Sequence, residues 1–220
     1  MRRFKLLLAV GWLGLAAFPA RPQADEALPA LVQVLAQTDD PQFQLDVLKG
    51  MSEGLKGKRV VKMPEGWEEL SAKLNKSAHP EICDLAQSLS LTFGSPSALA
   101  GLRQRLMDAQ ADAAARRGAL ESLLAAKDPE LAAPLRQLLA DPVLRAAALR
   151  GLAAYDQPET PAAILGVYPS LTGAEKRDAL NTLVSRSAFA KALLLAVREK
   201  KVSTRDLTAD IVRQVPMQSP

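Results

Sequence analysis

The chain has 220 residues, 48% hydrophobic and 24% charged, and Ala and Leu fill 75 positions against nine aromatics. Ala and Leu are strong helix formers while strands favour β-branched and aromatic side chains, so this balance points to close-packed helices. It excludes a collagen, a disulfide-knotted scaffold and a wholly disordered tail.

The amino end carries the first element. Arg2, Arg3 and Lys5 precede an unbroken apolar stretch over 6–18, shorter than the ~20 residues a helix needs to cross a bilayer. A basic start, a short apolar centre and small residues with proline near 20–24 predict a secretory signal peptide over residues 1–24. Cleavage after Ala20 and after Ala24 both remain open, and the alternative is an uncleaved amino-terminal anchor. The only cysteine is Cys83, so no lipid-modified cysteine can follow the apolar centre. The expected location is periplasmic or secreted, with no transmembrane span after cleavage.

Removing that segment changes the charge argument. The formal charge is +4, and residues 1–24 hold four basic side chains and no acidic one. The rest carries 24 of each sign. Nucleic-acid binding by phosphate neutralisation needs a basic excess, so no nucleic-acid partner is expected.

Along 25–220 the apolar residues recur with a helical period. Leu28, Leu31, Val32 and Leu35 form one stripe, Trp67, Leu70 and Leu74 another, and Leu131, Leu135, Leu138 and Leu139 a third. Leu180, Leu183 and Val184 continue the series. The stretch 143–152 is apolar on nearly every side except Arg145 and Arg150, which predicts a helix covered on two sides. The breaks are as regular. Asp40-Pro41, His79-Pro80, Ser95-Pro96, Asp128-Pro129 and Asp141-Pro142 each set a capping or turn residue before a proline, which starts a helix without losing a needed hydrogen bond.

These signals predict helix pairs at about 27–56, 65–93, 96–126, 129–154 and 158–185, with further helices near 187–200 and 203–215. Second helices begin near Pro41, Pro80, Asp112, Pro142 and Gly173, at spacings of about 30 to 40 residues. The expected fold is all-α: a right-handed α-solenoid of about five HEAT-like helix pairs plus C-terminal helices, over 25–220. A plain multi-helix bundle is the competing architecture. The stretch 56–63 reads as a loop.

Chemistry-bearing residues are sparse. His79 and Cys83 share a helix face, but a structural zinc site needs about four ligands and no second His or Cys exists. Cys83 lies in the apolar series Ile82, Leu85, Ala86, Leu89, where a thiol behaves as a small hydrophobe. Glu68 with Glu69, and Asp206 with Asp210, are acidic pairs of the kind usually solvated on a helix face. Arg117, Arg145 and Arg177 sit early in successive second helices, near Asp112, Asp141 and Glu175. They read as a ladder of ion pairs between repeats, against the alternative of a basic stripe for an acidic partner. No nucleophile elbow, phosphate loop or metal motif is present.

Pro64-Glu65-Gly66-Trp67, Leu89 to Gly94 (LSLTFG), Leu138-Leu139-Ala140-Asp141-Pro142 with Leu144-Arg145, Leu183-Val184-Ser185-Arg186 and Arg213-Gln214 occur in an order and spacing that carries a likeness. Over most of 50–215 the chain resembles the HEAT-like segment of exported bacterial membrane-bound dehydrogenase or haem-binding proteins, which also have a propeller and a c-type cytochrome domain. The resemblance implies a fold and an exported location. It does not carry over haem, because haem attachment in that family uses Cys-x-x-Cys-His. No functional residue of the family maps onto this chain.

The expectation is therefore a non-catalytic, exported repeat protein that acts as a scaffold for protein partners, with no catalytic, cofactor-binding or metal residues and no cofactor. The alternative is an accessory or truncated piece of an exported dehydrogenase or c-type cytochrome electron-transfer system.

Overall fold

The computed structural model describes residues 24–58 and 61–214, with side chains from Ala27 onward. The expected signal segment therefore lies outside the described residues except for Ala24, as do Arg59 and Val60 of the expected loop. What is described is all-helical. Helices α1 (Ala24–Ala36) and α2 (Pro41–Leu55) come first, then α3 (Trp67–Leu74) and α4 (Pro80–Thr92). Next are α5 (Pro96–Met107), α6 (Ala113–Ala125), α7 (Ala132–Leu138) and α8 (Arg145–Gly151). The chain continues through α9 (Thr160–Val167), α10 (Gly173–Val184), α11 (Ser187–Arg198) and α12 (Ala209–Gln214). Short 3-10 turns at Leu152–Ala154, Tyr168–Ser170 and Thr204–Asp206 tighten three of the connections. Among the described residues there is no strand.

The helix starts follow from local chemistry. The carboxylate of Asp40 accepts from the amides of Gln42 and Phe43, Ser95 Oγ from Ala98, and Asp112 from Ala114 and Ala115. Thr172 and Glu175 form a reciprocal capping box, satisfying two otherwise unpaired donors at the start of α10. Two proline dipeptides behave differently from the expectation. Asp128-Pro129 and Asp141-Pro142 open turns, and regular helix begins only at Ala132 and Arg145. Both aspartates bond the amide two residues on, Glu130 N and Val143 N, which holds the chain in a turn first. His79, before Pro80, makes no side-chain cap.

Two apolar cores form in sequence. One gathers buried residues from Leu28 to Phe93 around Trp67, whose indole meets the Phe93 ring edge-on at 5.0 Å. The other runs from Leu99 to Ile211. Between them, Ser95 Oγ and Ser97 Oγ donate to the two oxygens of Glu68 at 2.8 and 2.6 Å, tying the start of α3 to the start of α5. The stretch 143–152 is covered as expected along α8: an added Cβ at Gly151 would stand 3.2 to 3.3 Å from Leu124 of α6 and Leu135 of α7. Val143 departs from the expectation and is exposed, because it lies in the turn before α8.

Helices adjacent in sequence pack together as α1 with α2, α3 with α4, α5 with α6 and α7 with α8. Across these couples, α2 packs on α4, α8 on α10 and α10 on α12, while α1 packs on α3, α7 on α9 and α9 on α11. No described helix is long and apolar enough to cross a membrane.

Candidate functional site

The residue four past the capping or turn residue that opens α2, α4, α6, α8 and α10 reaches back to the end of the helix before it. Gln44, four past Asp40, donates to Thr38 O at 2.9 Å, and Cys83, four past His79, bonds Leu74 O and Ser77 O at 3.5 Å. Arg116, four past Asp112, donates through Nε to Leu106 O at 2.9 Å; Arg145, four past Asp141, does the same to Leu139 O at 2.7 Å. Lys176, four past Thr172, stands 5.2 Å from the ring centre of Tyr168. Five helices thus present an equivalent position with an equivalent task, which is to satisfy or neutralise the negative carboxyl end of the preceding helix.

The cations among these also face forward. Arg116 pairs with Asp141 at 2.8 Å, Arg145 with Glu175 at 3.8 Å and Lys176 with Asp206 at 3.5 Å. Burial works against ionisation of Asp141, but hydrogen bonds from the Val143 amide and Arg116, with the Arg116 charge, win and hold its pKa below the usual carboxylate range. Glu175 is likewise lowered, chiefly by the backbone N–H of Thr172. The odd-numbered helices add further links. Arg103 of α5 holds both oxygens of Asp128, which is only 1% exposed, at 2.8 Å, and reaches Glu130 at 3.1 Å. Lys73 of α3 pairs with Asp39 at 2.7 Å.

The ladder is real but one residue out of place in the sequence reading. Arg145 is a rung; Arg117 and Arg177 are exposed, and their neighbours Arg116 and Lys176 occupy the rungs. The acidic pairs also separate. Glu68 is held by Ser95 and Ser97 while Glu69 is exposed; Asp206 accepts from Tyr168 Oη at 3.0 Å, and Asp210 pairs with Arg213. Tyr168 is pushed well above its ordinary pKa, by burial first and then by Asp206. Cys83 is half-buried rather than sealed in the core. Among the described residues no three His, Cys, Asp or Glu side chains converge as a metal site would require.

An open apolar groove of 860 Å³ lies between α9 and α11. Pro161, Ala162 and Leu165 form one wall; Ala188, Ala192 and Leu195 form the other. Leu195 is 48% exposed. Asp156, Glu199 and Lys201 stand at the rim, where Lys201 bonds Glu199 and lowers its pKa. These are small and apolar side chains with a charged margin. The groove was not anticipated from sequence. No protein-family model, curated protein or solved structure matches this chain.

Proposed function

We propose that the helix pairs stack as a right-handed α-solenoid of about five HEAT-like repeats with C-terminal helices, and that the protein is a non-catalytic, exported scaffold for protein partners. The recurring link at the fourth helix residue supports the repeat, since equivalent positions doing equivalent work are what a repeat consists of. The binding role rests on the groove between α9 and α11, whose walls come from two helices and whose floor is apolar. A partner helix lies in that groove with its apolar face against Ala162, Ala192 and Leu195.

The test is capture from the exported fraction. Wild-type protein retains a stoichiometric partner, and Ala192→Glu or Leu195→Glu loses it while keeping the same helical circular dichroism. Equal capture by wild type and both variants refutes the groove as the binding site.

A further inference from the structure

A smaller, polar cleft of 280 Å³ lies where the two cores meet. Ser71 and Asn75 line it from α3 and its end, Gln87 and Ser90 from α4, and Ser97 and Arg105 from α5. Helices α3 and α4 build the first core and α5 belongs to the second, so a molecule held here touches both. No acidic side chain is part of the lining.

The hydrogen bonds already made decide what the cleft can accept. Ser71 Oγ donates to Glu68 O at 3.0 Å, Ser90 Oγ to Ala86 O at 2.8 Å and Ser97 Oγ to Glu68 Oε2 at 2.6 Å. A hydroxyl carries one hydrogen, so these three oxygens have only lone pairs left to offer. The donors come from the other side chains. Arg103 spends its guanidinium on Asp128 and Glu130, whereas Arg105, two residues on, makes no ion pair or hydrogen bond among the described residues. The side-chain amides of Asn75 and Gln87 are equally unengaged. Gly101 of α5 also lines the cleft, and a Cβ there would meet no atom within 4 Å. Glycine inside a helix is destabilising relative to alanine, and neither close packing nor a left-handed backbone requires one at this position. What its missing side chain does is keep the cleft open.

From these observations we infer that the cleft binds a small hydroxy-carboxylate. The carboxylate pairs with Arg105 and accepts from the amides of Asn75 and Gln87, and the hydroxyl donates to the serine oxygens. An amino acid fits less well, because its ammonium brings a second cation into a cleft with no acid. A phosphate dianion brings only acceptors to oxygens that cannot donate. A volume below the ~300 Å³ at which drug-sized sites begin restricts the ligand to a few carbons. The inference is independent of the groove between α9 and α11.

The experiment is titration calorimetry at low salt and pH 8 with malate, succinate and inorganic phosphate as probes. Wild type binds malate at least about tenfold more tightly than succinate, which lacks the hydroxyl, or phosphate. Arg105→Met weakens malate by about tenfold or more, while Arg117→Met, an exposed arginine of α6 outside the cleft, leaves it unchanged. Gly101→Leu fills the cleft and abolishes binding, with helical circular dichroism kept and thermal stability no lower than wild type. Saturating malate raises the melting temperature of wild type and not that of Gly101→Leu. No binding of malate at about 10 mM overturns the inference, as does equal affinity for all three probes. Equal weakening by Arg105→Met and Arg117→Met overturns it too, since that is attraction by net charge alone, and undiminished binding by Gly101→Leu places the ligand elsewhere. Leu195→Glu binds malate like wild type, so a failed groove leaves this site standing.

Discussion

Replacing Arg116 with Met tests whether the ladder holds successive helix couples together. The side chain, carried on α6, is 11% exposed and its guanidinium joins two other elements: Nε to Leu106 O at the end of α5 and Nη2 to Asp141 ahead of α8. Hydrogen bonds to charged groups contribute ~1.5–3 kcal/mol each, and Asp141 at 21% exposure is left with partial access to water, which softens the loss. A net cost of ~2 kcal/mol follows, lowering the melting temperature by about 4–8 °C for a chain of this size. Asp141→Asn keeps the capping oxygen but removes the charge, so a double-mutant cycle isolates the pair, with an expected coupling of ~1 kcal/mol. The pH dependence has a fixed sign. The folded pKa of Asp141 lies below its unfolded value, so its contribution is present above about pH 4 and lost as pH falls through the lowered value. Arg116→Met therefore flattens the acid limb of the stability profile. A coupling within about 0.3 kcal/mol of zero, with an unchanged acid limb, refutes the ladder as a stabilising device.

Gly151→Val inserts methyls where even a Cβ stands 3.2 Å from Leu124, and should cost ~2 kcal/mol in chemical denaturation; a stabilised variant refutes that packing. Glu68→Gln weakens a charged tie between the two cores, and calorimetry should then resolve two transitions, the 28–93 core separating from the 99–211 core. A single unbroadened transition argues for one cooperative unit. Amino-terminal sequencing of protein from its native host should begin between Arg21 and Ala27, and retention of Met1 refutes signal cleavage. Protein purified from that compartment should show no Soret band, since one Cys and one His cannot supply the haem attachment motif; stoichiometric haem restores the electron-transfer alternative.

The helix starts at Pro41, Pro80 and Pro96 were legible because proline fixes its own backbone and disfavours helix in the residue before it, whatever surrounds them. The same signal overreached at Pro129 and Pro142. There the aspartate side chain competes for the first amides, and three residues pass before regular helix begins. The rungs were legible in kind but not in phase. Arg116-Arg117 and Lys176-Arg177 are adjacent cations, and on a helix neighbours point 100° apart, so the choice depends on which flank faces the next couple. Counting four from the capping residue would have resolved both.

The groove was hidden for a different reason. Ala162, Ala188 and Ala192 read in sequence as good helix formers, and their other property, letting a neighbouring backbone come close, shows only once α9 and α11 lie side by side. One signal did exist. Leu193, Leu194 and Leu195 are consecutive, and three successive residues on a helix span 200°, wider than the stripe one core can cover. The structure buries Leu193 and leaves Leu194 and Leu195 exposed, Leu195 over the groove. An apolar run too wide for its core therefore marks a surface. It does so through excess burial potential, a signal that needs no titratable or metal-binding residue.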